Sequence, residues 1–361
     1  MYLIVTRSFP PEVGGMQNLM WGLARSLSKY NLIKVYADHQ EGYEKFDTKV
    51  SFSIERVGGA KLLKKYRKSG LINEFLKNNK KVECIIADHW KSLELIKTSK
   101  KKICLIHSKE INHEKGSRLN KRVLNVLNNV DYVVSNSNYT KELATNIGVS
   151  PNKINVINCG VDPVQKINPK ALDESEKMLK NRKPRLITVS RFDKRKNHEK
   201  IVMALRNLKE KYPDIIYTCI GYGDEEENIK KLVNELGLNK QVLFLKNISQ
   251  DLNQALIAKS NIFVMPSIIY KKSVEGFGIA YVEAAQHGVP SIGGKDGGAS
   301  DAIIHNKTGL IVDGNNLDEI YSSIINLLEG NKFISFGKNA KENSFNFSWE
   351  KIIQNYLKIL N

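Results

Sequence analysis

Glu275 and Glu283 stand eight positions apart around a glycine turn, in the run EGFGIAYVE. Carboxylates accept hydrogen bonds from vicinal hydroxyls, so this spacing suits a ligand carrying two diols, a sugar and a ribose. Gly276, Phe277, Gly278 and Ile279 lead into a helix-forming run, Ala280–His287. The first N–H groups of such a helix lack internal acceptors and favour an anion or an oxygen-rich ligand. Arg191 and Lys196 lie five apart in SRFDKRKN, directly after a strand-like run. Fixed cations there would stabilise the charge that a diphosphate leaving group gains as its bond breaks. Lys194 and Arg195, between them, are expected to face solvent. Gly14-Gly15 separates a strand-like run, Tyr2–Thr6, from the helical spacing of Met16–Lys29. Without Cβ atoms the backbone can approach an oxyanion closely, although the loop is neither GxGxxG nor a Walker A sequence. His107 ends the strand-like run ICLIH, where open α/β sheets place ligand contacts; a lone histidine is more often structural. His89 and His113 are expected at the surface.

The elements that must position these residues alternate. Apolar, β-branched runs at Leu32–Ala37, Glu83–Asp88, Ile103–His107, Tyr132–Ser135 and Ile154–Ile157 follow the first strand. A second series begins at Pro184–Val189 and continues through Ile215–Ile220, Val242–Leu245, Ile262–Met265, the residues after Pro290 and Thr308–Val312. Helical spacing lies between them, and this alternation argues for doubly wound parallel sheets. Ser137 or Asn138 caps one helix. Residues 163–183 are polar and read as a linker, which gives domains 1–162 and 184–345 with an amphipathic tail at 346–361. The segment KLLKKYRKSGLINEFLKNNKK mixes leucines with Lys61, Lys64, Lys65, Arg67 and Lys68, and Ser69-Gly70 is expected to break it in two. Such a helix suits either an anionic membrane surface, reached through Lys61–Lys68, or the packing layer of an α/β domain.

A chain of 361 residues is long enough for two domains, and 41% hydrophobic with 26% charged residues describes an ordinary globular protein. No run approaches the apolar length of a membrane-spanning helix, and MYLIVTRSFPP reads as a first buried strand rather than a leader. Cys84, Cys104, Cys159 and Cys219 lie far apart, without metal or redox spacing, and fit buried thiols in a cytoplasmic protein. Residues 1–160 hold 27 Lys and Arg against 14 Asp and Glu, so most of the net charge of +18 sits in one half. That excess points to an anionic partner. Nucleic acid is disfavoured, because no basic stripe is interleaved with aromatic residues.

MPS…EGFGIAYVE…GVP…GG, with the R-x4-K pair, PPEVGG and NCGVD, resembles glycosyltransferase family 4, the retaining group 1 glycosyltransferases, and is similar to bacterial phosphatidylinositol mannoside mannosyltransferases. The resemblance implies an α/β GT-B fold, with two facing Rossmann-like doubly wound domains and an interdomain cleft. It implies a hexosyltransferase acting without a metal. The donor would be a nucleotide-diphospho-sugar, with GDP-mannose favoured, and the acceptor a glycolipid or glycan hydroxyl. Carried over residue by residue, Glu275, His107, Arg191 and Lys196 would be catalytic. Gly15, Ile248, Gly276, Phe277, Gly278, Ile279 and Glu283 would bind the donor, and Gln17 would face the acceptor. The tail would cross back to the first domain, and the enzyme would work in the cytoplasm, at the inner face of the membrane. A nucleotide-sugar epimerase with the same nucleotide site is the alternative; an NAD-dependent oxidoreductase is disfavoured by the missing GxGxxG.

Overall fold

The computed structural model describes residues 1–361, the side chain of Lys61 excepted. The chain forms two units, Met1–Asp162 with Phe347–Asn361, and Pro163–Asn346.

The first unit is built on a parallel sheet of β1 (Tyr2–Val5), β2 (Ile33–Asp38), β3 (Ser53–Val57), β4 (Cys84–Ala87), β5 (Lys101–Ile106), β6 (Tyr132–Ser135) and β7 (Ile154–Val156), in the order β3-β2-β1-β4-β5-β6-β7. The second unit carries β8 (Arg185–Val189), β9 (Ile216–Ile220), β10 (Val242–Leu245), β11 (Ile262–Met265), β12 (Ser291–Gly294) and β13 (Gly309–Val312), in the order β10-β9-β8-β11-β12-β13. Strands β1, β4 and β11 (YLIV, CIIA, IFVM) are buried throughout, because helices cover both faces of each sheet. In each sheet the winding reverses between two neighbours, β1 and β4 or β8 and β11. Loops leaving those strands part there and open a crevice at the carboxyl edge.

Ser53–Val57 carries no strand signal in its sequence, being an edge strand whose half-exposed faces carry Glu55 and Arg56. Ser69-Gly70 does not break its helix: Lys61–Asn78 is continuous, and the Ser69 hydroxyl donates back to the Lys65 and Tyr66 carbonyls. Residues 163–183 carry a helix, Pro169–Leu179, capped by Asn168, with Ala171, Ser175 and Leu179 buried. The terminal helix Trp349–Leu360 belongs to the first unit and packs on Gly15–Leu27. Its Trp349 ring fills the space beside Gly22 and Gly160, where an added Cβ would meet it at 2.1 and 2.5 Å. Lys101 Nζ donates to the Leu360 carbonyl at 2.7 Å, complementing that helix's negative end. All four cysteines are buried free thiols.

Candidate active site

In the second unit, the loop after β8 runs from Ser190 to Asn197 and is fixed from three sides. Asp193 accepts from the Lys196 N–H at 3.2 Å and shapes the 3₁₀ turn Lys194–Lys196. Asn197, at φ 61°, donates to the carbonyls of Pro266 at 2.9 Å and Gly314 at 2.7 Å, tying this loop to those after β11 and β13. Beneath it, His198 lies between the Ser190 hydroxyl (3.1 Å) and the Tyr217 hydroxyl (2.9 Å). Burial lowers the His198 pKa to about 3, so the ring stays neutral. Gly221, at φ 148°, backs onto the Ser190 carbonyl at a distance no Cβ could occupy.

Glu275 comes from the loop after β11, the strand across the winding reversal from β8. Its carbonyl accepts from Gly298 N–H at 2.8 Å. Its Oε2 accepts from Arg195 Nη1 at 2.6 Å and from Lys196 Nζ, and all three side chains are buried. Burial alone would raise the Glu275 pKa, but the charges of Lys196 and Arg195 outweigh it and hold the carboxyl at about 2. Oε1 has no partner among the described residues and can accept from a hydroxyl.

One expectation changes here. Arg195 is not solvent-facing: the 3₁₀ turn rotates it inward, onto Glu275. Arg191 is 70% exposed at its side chain and faces Asp193 at 3.5 Å, while Lys196 is turned onto the carboxylate. Sequence reasoning missed Arg195, because its direction depends on the turn that Asp193 caps.

The helix behind Glu275, Ile279–Gln286, begins at Gly278 with φ 88°. An added Cβ there would lie 2.4 Å from the Tyr281 ring, whose hydroxyl donates to the Met265 carbonyl at 2.6 Å and anchors the helix to β11. Phe277 is buried, and Gly276 and Ile279 are half-buried. Glu283, one turn into the helix, is partly buried and has no ion-pair or hydrogen-bond partner among the described residues. Burial raises its pKa. Ile248 lies after β10, half-buried, beside Asn247 at φ 54°.

In the first unit, Gly15 is exposed and opens the helix Gly15–Leu27. Gln17 donates to Glu12 at 3.0 Å. Arg56 holds the preceding loop by donating to the Pro10 carbonyl at 2.6 Å while stacking over Phe9 and bonding Asp47. His107 is half-buried at the end of β5; its N–H donates to Glu110 at 2.5 Å, and its Nε2 is buried without a partner. His89 is not a surface residue. It caps a helical turn by accepting from Lys91 N–H at 3.0 Å, and burial lowers its pKa to about 3. The basic helix also differs from expectation. Lys64 and Lys68 pair with Asp38, Lys65 pairs with Glu94, and Arg67 donates to the Gly58 carbonyl, while Lys61 lies outside the described side chains.

Residues 170–344 match the family model of glycosyl transferases group 1, and residues 13–165 match that of glycosyltransferase family 4. Among curated relatives, a GDP-mannose-dependent alpha-(1-6)-phosphatidylinositol monomannoside mannosyltransferase of Mycolicibacterium smegmatis is 25% identical over 90% of this chain and 88% of its own. The Corynebacterium glutamicum enzyme named for the monoacylated form of that glycolipid is 26% identical over 91% and 88%. Among solved structures, Anabaena HepE in complex with UDP superposes with a TM-score of 0.83 at 18% identity, covering 99% of each chain. A glycosyltransferase from Rickettsia africae superposes at 0.80 with 20% identity, over 99% of this chain and 97% of its own. These two likenesses show the fold, GT-B.

Proposed function

Because the chain belongs to the glycosyltransferases, with a family 4 domain followed by a group 1 domain, we propose that it moves a mannosyl group from GDP-mannose to a hydroxyl of a lipid-linked acceptor, with retention of configuration. The single observation carrying this reading is the buried Lys196–Glu275–Arg195 cluster at the winding reversal of the second sheet. A carboxylate held ionised by two cations, with one oxygen unoccupied, is an acceptor for donor-sugar hydroxyls. Lys196 is placed to shift its charge toward the departing diphosphate, where charge builds in the transition state. Arg195 then keeps Glu275 ionised. Arg191, exposed on the same loop, supplies a second cation to the diphosphate. Backbone N–H groups of Gly276 to Ile279 orient the sugar, Glu283 takes the ribose hydroxyls, and Ile248 meets the base. On the first unit Gln17 is the acceptor-side residue, while Gly15 and His107 serve the donor's diphosphate and sugar. Relatives named for GDP-mannose and for a phosphatidylinositol glycolipid support the choice of donor and acceptor. The enzyme then works in the cytoplasm, where nucleotide-sugars would be available to it.

The test is a product assay with labelled GDP-mannose and lipid extract, run beside UDP- and ADP-sugars. The wild type labels a lipid, Glu275→Ala abolishes labelling while the protein stays folded, and Glu283→Ala raises KM for the donor. Full turnover in both variants would remove the donor-site assignment, and label appearing only in free sugar would replace transfer with hydrolysis.

A further inference from the structure

The loop between β11 and Glu275, residues 268–274, carries none of the side chains assigned to the donor, yet it is built on the same frame. At one end the Ile268 N–H donates to the Arg195 carbonyl at 2.9 Å, and at the other Val274 is buried. Tyr270 and Ser273 exchange backbone hydrogen bonds at 3.0 and 2.9 Å and close the turn Lys271-Lys272. Lys271 sits at φ 55°, a left-handed position where glycine would be the low-cost residue. Its ammonium lies 5.4 Å from the centroid of the Tyr270 ring. A second ammonium, that of Lys194, lies 5.6 Å from the same centroid. Lys194 is free to reach it because a 3₁₀ turn sends successive side chains about 120° apart. Arg195 and Lys196 go to Glu275, and Lys194 is left to the ring. Tyr270 and both lysines are exposed, and neither lysine meets a carboxylate among the described residues.

Two like charges gathered on one ring, with no acid to offset them, suit an anion. An exposed aromatic face beside that anion suits the apolar C–H face of a sugar or cyclitol. We propose that Tyr270, Lys194 and Lys271 form an acceptor subsite for a phosphorylated polyol headgroup, with its ring on Tyr270 and its phosphate between the two ammoniums. Direction decides against the donor as the occupant. Lys196 and Arg191 serve the donor's diphosphate, Glu275 and Glu283 its hydroxyls, and Lys194 is turned to the Tyr270 ring instead. Position agrees with an acceptor. Lys194 stands one residue before Arg195 and Tyr270 five before Glu275, so a headgroup held there stays at the rim of the sugar site. The subsite deepens the proposed transfer reaction, on which it rests, by giving the second unit a share in acceptor recognition in addition to Gln17 of the first.

Ligand-observed NMR titration of the full chain tests it, with glycerophosphoinositol and, as the phosphate-free control, myo-inositol, each in the presence of saturating GDP. The wild type is expected to bind glycerophosphoinositol more tightly than myo-inositol. Lys194→Gln/Lys271→Gln should weaken glycerophosphoinositol binding by about tenfold or more and leave myo-inositol unchanged. Tyr270→Ala should weaken both, and Tyr270→Phe, which keeps the ring, should restore them. Affinity for GDP-mannose, titrated separately, should be the same in all four proteins. No binding of glycerophosphoinositol by the wild type, or equal binding by wild type and variants, overturns the proposal. A parallel loss of GDP-mannose affinity in the lysine variant also overturns it, since the cations would then serve the donor's diphosphate. The same loss in Tyr270→Ala would make the ring a brace for the Glu275 loop and overturn it as well. Failure of the wild type to bind any nucleotide-sugar would sink the functional reading, while the glycerophosphoinositol titration would still decide the subsite.

Discussion

Glu275 and Glu283 look alike in sequence, and their surroundings separate them. Glu275 lies between two cations that hold its proton affinity far below the ordinary value of 4.5. Glu283 has burial without compensation, which raises its proton affinity. An uncompensated carboxylate opposes folding when ionised, so Glu283→Gln is expected to raise Tm at neutral pH while weakening nucleotide binding. Thermal melts with and without nucleotide check both halves; a lower Tm, or unchanged nucleotide affinity, would contradict the role assigned to this residue. The two glutamates, Lys196 and the glycine turn were singled out by residue type and spacing only together with the resemblance to the family's motif. Arg195 was not, because a basic residue in a basic loop carries no mark of its direction until the Asp193-capped turn is known.

Between residues and units, the informative element is the helix Lys61–Asn78. Gly70 lies inside it, and an added Cβ there would meet nothing within 4 Å. Glycine in a helix interior costs roughly 0.5–1 kcal/mol relative to alanine. Gly70→Ala should therefore stabilise the protein by that amount in a denaturant titration, and a loss of stability would show that the helix bends or opens there. The Ser69-Gly70 pair looked like a break because propensity is local. Tertiary packing of Ile72 and the inward ion pairs of Lys65 and Lys68 override it. The same pairs explain why an amphipathic pattern misreported which face was outward: apolar and basic residues were distinguished, but Asp38 and Glu94 are distant in sequence. Strand β3 escaped for a related reason, since an edge strand with polar faces lacks the apolar run that marks β1, β4 and β11.

At the scale of the whole molecule, one winding pattern appears twice, and the alternation of strands and helices was enough to read it. Both units also share a sensitivity to acid. Glu94, held by Arg122 and Lys65, and Glu176, held by Arg185 and Lys259, have their pKa lowered from 4.5 to about 2, as Glu275 does. His198 and His89 are lowered from 6.5 to about 3. For every one of these groups the folded state binds its proton less readily than the unfolded state. Their contribution is therefore complete above pH 6.5 and is lost as pH falls, first through the histidines and then, below 4.5, through the carboxylates. Melting temperature measured against pH should decline from about 6.5 downward and steepen below 4.5; a flat profile would contradict the buried, unprotonated histidines and the ionised carboxylates.

The central claim is that Lys196 serves the donor's diphosphate and is not merely a structural partner of Glu275. Lys196→Met leaves Arg195 on the carboxylate, so the site keeps a compensated charge and the fold should survive. Calorimetric titration of GDP-mannose into wild type and Lys196→Met reads the claim directly. Saturable binding to wild type and a loss of about tenfold to a hundredfold in the variant are expected, the worth of one charged hydrogen bond. Equal affinities for the two proteins would contradict it.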